Sequence, residues 1–411
     1  MRVVLVAGHA TGGVAGHVAE LAEGLAAAGV EVVVATSAAT ADRWERLAAE
    51  RAPRPPGRQD GPQQGRQHGA GAVRVLRLWP SPRRPREALG RLRALRRALA
   101  AADVVHAHGH QAGLLSVLLT APRRGGPRRP DGARRRPAVV VTWHNAVLGP
   151  PRSPRRRVLA LVEGLQARGA DLLTGASGDL VARAARLGAV RPELTPVAVP
   201  DRAADGGQER GGPVPAAAPP GLDDLAPGTL VVLTVSRLAP QKDLPTLVRA
   251  ASLLPDALGP VLWCVVGDGD PGVEREVRRL VEELRAPVRL LGARGDVPAL
   301  LARADVFALP STWEARSLAV QEAMAAGLPV VATRTGGLPD LLEGVGSLVP
   351  VGDERALAAA VARLLADPVA REGAGRAARE AFTALPSPRD VLRGWLDRYA
   401  RLASAPADPQ R

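Results

Sequence analysis

Short apolar runs rich in valine and leucine alternate with helical patterns along most of the 411-residue chain. The first run, Arg2–Ala7, is followed by a glycine-rich turn and then by a helix that places Val18, Leu21 and Leu25 on one face. Strands that alternate with helices in this way are typical of parallel sheets with crossover connections. The pattern therefore predicts an α/β protein built from doubly wound, Rossmann-like parallel sheets.

The alternation continues through both halves of the sequence. In the first half, further strands are predicted at 30–35, 73–78, 103–108, 138–143 and 172–175. In the second half, strands are predicted at 230–236, 261–267, 288–291, 306–309 and 330–333. A last helix is predicted at about 389–402, where Val391, Trp395 and Tyr399 share one stripe with two leucines.

A Pro-, Gly- and Ala-rich segment near the midpoint, 201–228, reads as a connector between two domains. The length of the chain is sufficient for two domains. We predict an N-terminal domain over 1–200, a second domain over 229–385, and a C-terminal helix over 386–411 that packs back toward the N-terminal domain. The two sheets are expected to face a central cleft, with ligands beyond the carboxyl ends of the strands.

Basic residues exceed acidic ones by 55 to 41, which gives a net charge of +14, and Lys242 is the only lysine. Residues 51–160 hold 24 arginines and four acidic residues, in part within low-complexity segments at 51–72 and 122–137. A positive field concentrated in one part of the chain indicates an anionic partner. The simpler explanation is that the arginines fill solvated loops. Aromatic residues make up 2% and do not interleave with the arginines, so no nucleic acid is expected as a partner.

Two predicted helices, at 85–101 and 152–165, combine leucines with arginines. We expect the leucines to pack on the sheet and the arginines to reach water, where they create a positive field suited to an anionic membrane surface. The single cysteine, Cys264, indicates a reducing compartment. The sequence lacks an apolar run of 18 residues and a signal-type N-terminus, so we expect a soluble cytoplasmic protein with peripheral contact at the inner membrane face.

Two glutamates eight residues apart form the most specific motif. Glu314 ends a strand-to-helix loop, and Glu322 lies within the helix that follows. Carboxylates accept hydrogen bonds from sugar hydroxyls, and the helix N-terminus between them offers amides to a phosphate. Solvated helix acids are the alternative, but the flanking Pro-Ser and Glu-Ala-Met-Ala-Ala-Gly-Leu-Pro-Val-Val-Ala argue against it. The stretch resembles the Glu-x7-Glu motif of the retaining glycosyltransferases of family 4, which have the GT-B fold.

A second motif places Arg237 and Lys242 five residues apart, between a strand and a helix. A guanidinium and an ammonium at this spacing can clamp a diphosphate, each with its own geometry. The pair resembles the Arg-x4-Lys donor-phosphate motif of the same family, and ordinary surface charge is the alternative. Both residues are predicted on a surface-facing loop, so their replacement by alanine should leave folding unaffected.

Gly12 and Gly13 follow the first strand and open a helix. They do not form the Gly-x-Gly-x-x-Gly fingerprint, which argues against nicotinamide binding. They resemble the family's Gly-Gly loop, which faces the donor phosphates. His144 follows the strand at 138–143 and matches the family's Thr-x-His position, near the reacting sugar.

Three alternate histidines, His106, His108 and His110, raise the question of a metal site, because alternate residues share one face of a strand. The sequence shows no carboxylate or cysteine at ligand spacing to complete such a site. We therefore expect no metal cofactor.

The chain departs from the family pattern after the first glutamate. The family has Gly-Phe-Gly there, whereas this chain has Ala315, Arg316 and Ser317, so Arg316 adds a charge beside the donor sugar. The family's loops at the nucleotide end of the cleft correspond to 267–269 and to 291–294, where Arg294 can contact the base.

The resemblance implies a retaining glycosyltransferase that moves a sugar from a nucleotide-diphosphate sugar to an unidentified hydroxyl acceptor, by same-face attack without a protein nucleophile. The catalytic residues implied are His144, Arg237, Lys242 and Glu314. The donor-binding residues implied are Gly12, Gly13, Arg294, Arg316, Ser317, Leu318 and Glu322. Two alternatives remain open: a GT-B-type sugar-nucleotide epimerase, which needs no acceptor, and a non-catalytic basic protein that binds membranes or nucleic acid.

Overall fold

The structure, a computed structural model, describes residues 1–8, 13–42, 73–78, 85–121, 136–146, 153–199 and 219–404. The predicted low-complexity segment at 51–72, most of the one at 122–137, and most of the connector at 201–228 lie outside the described residues. Contacts divide the chain into two compact units. The first unit comprises Met1–Thr195 and Arg389–Arg411, and the second comprises Pro196–Pro388.

The first unit contains a seven-stranded parallel sheet in the order β3-β2-β1-β4-β5-β6-β7. Its strands are β1 (Arg2–Ala7), β2 (Glu31–Ser37), β3 (Arg74–Leu78), β4 (Val104–His108), β5 (Ala138–Trp143), β6 (Leu172–Gly175) and β7 (Glu193–Leu194). Its first five helices are α1 (Gly13–Ala27), α2 (Pro85–Ala100), α3 (His110–Thr120), α4 (Pro154–Gly169) and α5 (Gly178–Arg186). The strand order reverses between β1 and β4, which confirms the predicted doubly wound topology.

The second unit contains a six-stranded parallel sheet in the order β10-β9-β8-β11-β12-β13. Its strands are β8 (Leu230–Val235), β9 (Val261–Val266), β10 (Val288–Gly292), β11 (Val306–Leu309), β12 (Val330–Thr333) and β13 (Ser347–Val349). Its helices are α6 (Leu244–Ser252), α7 (Pro271–Leu284), α8 (Val297–Arg303), α9 (Leu318–Ala325), α10 (Leu338–Leu342), α11 (Glu354–Ala366) and α12 (Pro368–Thr383). Here the order reverses between β8 and β11, so this sheet is doubly wound as well.

Buried valines, leucines and alanines fill the inner strands of both sheets. The last five residues of β1 are buried, as are all residues of β4, β5 and β11. Helices on both faces of a parallel sheet bury every strand side chain, which is why these strands read as continuous apolar runs.

The C-terminal helix α13 (Pro388–Ser404) belongs to the first unit. Val391, Trp395 and Tyr399 form its buried stripe, and the last two are fully buried. Leu392 reaches Gly24 of α1, where a Cβ would lie 2.8 Å from its side chain. The first unit is therefore completed by a segment that follows the second unit in the chain.

The prediction that the leucines of α2 and α4 pack on the sheet holds for only some of them. Leu95 and Leu99 of α2 are buried, but Leu89 and Leu92 in the first half of the same helix are 54% and 39% exposed. The four leucines form one continuous stripe on α2, so their spacing alone does not tell which of them are buried. Burial depends on how far the helix overlies the sheet. In α4, Glu163, Gln166 and Ala167 are buried instead, and the apolar side chains on the other side of the helix face solvent: Val158, Leu161 and Leu165.

None of the helices in the described part of the chain combines the length and the apolar character needed to cross a bilayer.

Candidate active site

The loops that follow β8 and β11 meet at the switch point of the second sheet. β8 and β11 are neighbours, and each loop leaves the carboxyl end of its strand. The amide of Thr312 donates a hydrogen bond to the carbonyl of Gln241 over 2.8 Å, which ties the two loops together. Ligands of open α/β sheets bind at this kind of position, so the side chains of both loops are candidates for ligand binding.

Lys242 and Glu314, one from each loop, form an ion pair through Nζ and Oε1. Ser311 donates a second hydrogen bond to the same carboxylate oxygen over 2.7 Å. The two side chains are only 12% and 11% exposed. The prediction that Lys242 lies on a surface-facing loop is therefore wrong, because its ammonium turns inward to a carboxylate that arrives from the other loop. Arg237 is exposed, as predicted.

A glycine pair holds the backbone of Glu314 in place. Gly336 has a φ of +54°, and a Cβ on it would lie 1.8 Å from the carbonyl oxygen of Glu314. The amide of Gly337 donates to that same carbonyl oxygen over 2.9 Å. Only glycine permits this combination of left-handed backbone and close approach. The Gly336-Gly337 loop therefore fixes the backbone position from which the Glu314 side chain extends.

Ser317, Leu318 and Glu322 are all placed by α9. Ser317 caps the helix by accepting a hydrogen bond from the amide of Val320, and Leu318 is the first helical residue. Glu322 lies one turn further along, and burial raises its pKa to about 7. A carboxyl group whose pKa is raised in this way is protonated for part of the time at neutral pH. Among the described residues, Glu322 forms no hydrogen bond or ion pair with Lys242 or Glu314.

The two remaining arginines of the predicted donor site differ in their surroundings. Arg294 forms a two-pronged pair with Asp296, and its third nitrogen donates to the carbonyl of Pro220 over 2.9 Å. Arg316 is partly buried, and its Nε has no hydrogen-bond partner among the described residues. Burial lowers the pKa of Arg316, against the opposing effect of Asp340. Within the described part of the chain, all three nitrogens of Arg294 are thus engaged by protein oxygens, whereas the Nε of Arg316 is not.

In the first unit, four histidines cluster at the carboxyl ends of β4 and β5. His106 and His108 lie on β4, His144 follows β5, and His17 lies on α1. All four side chains are buried. Nδ1 of His108 lies 3.0 Å from Nε2 of His144, and the ring of His17 packs edge-on against both at centroid distances of 6.0 and 5.9 Å. Gly13 is the first residue of α1, whereas Gly12 lies outside the described residues.

The four imidazoles are neutral at pH 7. Burial lowers the pKa of His17 to about 4 and, with smaller contributions from His17 and His110, that of His144 to about 3. Burial and the neighbouring histidines also lower the pKa of His106 and His108 well below the ordinary value. Among the described residues, no three His, Cys, Asp or Glu side chains are arranged to hold a metal ion.

The C-terminal helix closes the histidine cluster from one side. The hydroxyl of Tyr399 lies 2.6 Å from Nδ1 of His106, and the ring of Trp395 packs on that imidazole at a centroid distance of 4.2 Å. Nε2 of His106 lies 2.7 Å from the hydroxyl of Thr142. The sequence predicted the apolar stripe that holds Trp395 and Tyr399, but no local signal connected it to a histidine almost 300 residues earlier.

Two family models match the chain. Residues 12–200 match the glycosyl transferase 4-like domain, and residues 229–367 match glycosyl transferases group 1.

Among curated proteins, the chain is 34% identical over 153 residues to the amylovoran biosynthesis glycosyltransferase AmsK of Erwinia amylovora, across 35% of this chain and 38% of that protein. It is 36% identical over 162 residues to the GDP-mannose-dependent alpha-(1-6)-phosphatidylinositol monomannoside mannosyltransferase of Mycolicibacterium smegmatis, across 36% of this chain and 42% of that protein. Each alignment thus spans less than half the length of the relative.

Two solved structures resemble the chain over almost its full length. Anabaena Alr3699/HepE in complex with UDP has a TM-score of 0.73 at 18% identity and covers 97% of this chain and 100% of that one. The sucrose-phosphate synthase of Thermosynechococcus elongatus has a TM-score of 0.73 at 22% identity and covers 98% of this chain and 99% of that one. At such identities the likeness establishes the fold.

Proposed function

Because the chain belongs to the family 4 glycosyltransferases and has their GT-B fold, we propose that it is a retaining enzyme that transfers a sugar from a nucleotide-diphosphate sugar to a hydroxyl acceptor. The observation that carries this proposal is the Lys242–Glu314 pair at the switch point of the second sheet. It brings a phosphate-binding cation and a sugar-binding carboxylate together at the place where ligands of such sheets bind.

The ion pair links the cation proposed for the phosphates to the carboxylate proposed for the sugar. A diphosphate competes with Glu314 for the Lys242 ammonium, and the carboxylate so released is free to accept hydrogen bonds from sugar hydroxyls. Arg237, exposed in the same loop, supplies the second cation. Two cations fixed at the departing diphosphate stabilise the charge that develops in the transition state, and in this proposal no metal is required.

The other predicted residues have subsidiary roles in the proposal. The Glu322 carboxyl binds the ribose, and the α9 N-terminus at Ser317 and Leu318 offers amides to the phosphates. Arg316 contacts the donor through its guanidinium group. His144 binds the sugar near the anomeric carbon. The proposal also assigns Gly12, Gly13 and Arg294 to the donor, and a contact from Arg294 requires it to exchange a protein partner for the base.

The resemblance to a UDP complex and to a UDP-glucose complex of HepE supports a nucleotide sugar as the donor. A mannosyltransferase relative is GDP-mannose-dependent, so the donor panel includes GDP sugars as well as UDP sugars. A panel of nucleotide sugars, incubated with the protein and analysed by mass spectrometry, identifies the donor through its slow hydrolysis.

The donor panel is run with Lys242→Ala and with Arg249→Ala, which removes an exposed arginine on α6 as a matched control. We expect hydrolysis by the wild type and by Arg249→Ala, and loss in Lys242→Ala. Absence of turnover of every donor by the wild type contradicts the proposal, and conversion of a donor to its epimer without an acceptor identifies an epimerase instead.

We further propose that the first unit binds the surface of an anionic bilayer at the cytoplasmic side. Helix α2 packs against α3, and α3 against α4, so their solvent-facing sides form one surface, which we call the outer helical face. Its apolar side chains are between 39% and 70% exposed and comprise Leu89, Leu92, Leu118, Val158, Leu161 and Leu165.

The charge of the outer helical face is complementary to anionic lipids. Arg93, Arg97 and Arg157 are exposed on α2 and α4. The only acidic residue of α3 and α4, Glu163, is buried and paired with Arg183. Each basic residue near an anionic surface contributes about 1 kcal/mol, and apolar side chains add to this when they enter the interface.

Sedimentation with anionic and neutral liposomes at two salt concentrations tests the membrane proposal. We expect binding to anionic vesicles that weakens at high salt, and a loss of at least about tenfold when Leu161 and Leu165 are both replaced by serine. Val369→Ser is the matched control, because Val369 is 79% exposed on α12 of the second unit. A protein that stays in the supernatant with anionic vesicles at low salt has no such contact.

A further inference from the structure

A second histidine already occupies one nitrogen of His144. Nε2 of His144 lies 3.0 Å from Nδ1 of His108, and both rings are buried. The two rings stack at a centroid distance of 5.3 Å with an interplanar angle of 21°. A ligand that reaches His144 therefore meets its other nitrogen, Nδ1.

The ring of His108 is held on three sides. His108 is the last residue of β4, a central strand that pairs with β1 and β5. Its imidazole lies between His106, at a centroid distance of 4.0 Å, and His144, and His17 meets it edge-on. A ring packed in this way has little freedom to rotate, so it presents Nδ1 to His144 in a fixed direction.

The proton between the two rings has two arrangements, because each neutral imidazole carries one hydrogen. If His144 donates, the hydrogen of His108 lies on Nε2. If His108 donates from Nδ1, its Nε2 is bare, and the hydrogen of His144 lies on Nδ1. The hydrogen bond made by one ring nitrogen thus sets the protonation of the other.

The environment of His108 favours the second arrangement. Its Nε2 is buried and has no hydrogen-bond partner among the described residues. A hydrogen on that atom would be a buried donor without an acceptor, which native proteins rarely tolerate. A bare Nε2 leaves only an unpaired acceptor, which buried sites tolerate better than an unpaired N–H, so the proton of His108 belongs on Nδ1, facing His144.

We propose that His108 is a positioning residue that donates from Nδ1 to Nε2 of His144 and thereby keeps the His144 proton on Nδ1, as a fixed hydrogen-bond donor toward a substrate oxygen. This role rests on the proposed function, since it assumes that His144 meets the sugar or its diphosphate. It makes His144 a donor and not a proton acceptor, which agrees with the low pKa that burial gives its imidazole.

The tautomer of His144 can be determined without measuring enzyme activity. In protein labelled with 15N-histidine, nitrogen chemical shifts and couplings distinguish a ring protonated at Nδ1 from one protonated at Nε2. We expect His144 in the wild type to carry its proton on Nδ1 at pH 7. A wild-type His144 protonated at Nε2 overturns the inference, whether or not the protein turns over a donor.

Variants of His108 connect the tautomer to turnover. His108→Asn keeps an amide donor near the position of Nδ1, whereas His108→Leu removes it. We expect His108→Leu to lose the Nδ1 tautomer at His144 and to lower kcat by at least about tenfold, the rate equivalent of one lost hydrogen bond. The affinity for the product nucleotide should stay within about twofold, and His108→Asn should restore most of kcat.

A matched control separates positioning from packing. Tyr399→Phe removes the hydroxyl that lies 2.6 Å from Nδ1 of His106 and leaves the His106 ring in place against His108. We expect this variant to keep both the tautomer and kcat. Equal losses of kcat in the control and in His108→Leu, or wild-type kcat in His108→Leu, contradict the positioning role. A wild type without donor turnover contradicts the proposed function and leaves the tautomer experiment to decide this inference.

Discussion

The ion pair between Lys242 and Glu314 leads to a prediction about stability that the sequence did not suggest. Its two side chains are only 12% and 11% exposed, so replacement of Lys242 leaves a carboxylate that is almost buried and has Ser311 as its remaining hydrogen-bond donor in the described structure. Removal of one partner from a buried pair costs about 3–5 kcal/mol, whereas an exposed pair contributes about 0.2–1 kcal/mol. Because the carboxylate keeps some exposure and its hydrogen bond from Ser311, we expect Lys242 replacement to lower the free energy of unfolding by about 2–3 kcal/mol.

Lys242→Met isolates the effect of the charge, because methionine retains most of the apolar stem of lysine and lacks the ammonium. Glu314→Gln should cost less, since a freed lysine can extend its ammonium into water. The double variant should be more stable than Lys242→Met alone, because it leaves no unpaired carboxylate.

Hydrogen exchange measured by mass spectrometry can follow the two units separately. The most protected amides of β8 report the opening of the second unit, and those of β4 report the first unit as an internal control. A loss of about 2–3 kcal/mol accelerates exchange in β8 by roughly 30- to 150-fold, because each 1.36 kcal/mol corresponds to a factor of ten. Exchange in β8 that changes by less than about twofold in Lys242→Met would refute the argument that the pair is buried and coupled.

Three further predictions concern the second unit. Arg237→Ala should lower kcat/KM at least about tenfold and leave β8 exchange unchanged, because its side chain is exposed; steady-state kinetics on the identified donor tests this. Burial raises the pKa of Glu322 to about 7, so the carboxylate forms as the pH rises from 6 to 8. Calorimetry should show the affinity for the product nucleotide increasing over this range, a trend that Glu322→Gln flattens, and an identical trend in both proteins refutes a ribose contact. Gly336→Ala should displace Glu314 and abolish transfer, whereas Gly295→Ala, where a Cβ meets nothing within 4 Å, should retain activity.

The strands were predictable where burial on both faces leaves a continuous apolar run, as in β1 and β5. β7 and β13 were missed because they hold two and three residues, too few to show a period. The doubly wound topology followed from the alternation of strands with helices. The solvent exposure of the α4 leucines could not be predicted. The buried stripe of this helix includes Glu163 and Gln166, and such a stripe cannot be recognised from hydrophobic spacing.

At the candidate site, the sequence identified the two loops but not their contact. Lys242 and Glu314 are 72 residues apart, and they meet only because β8 and β11 are neighbours in the sheet. That neighbour relation is a property of the strand order, which one sequence does not specify. The same holds for His108 and His144, whose pairing depends on β4 lying beside β5.

The position of α13 also affects the order in which the protein can form during synthesis. Residues 1–195 leave the ribosome first, yet Trp395 and Tyr399, which cover His106 in the core of the first unit, are translated about 200 residues later. At 5–20 residues per second, this interval is about 10–40 s. The whole second unit is synthesised during that time, while the first unit still lacks its closing helix. Translation that stops before Trp395 therefore yields a chain whose earliest-made unit is the unfinished one.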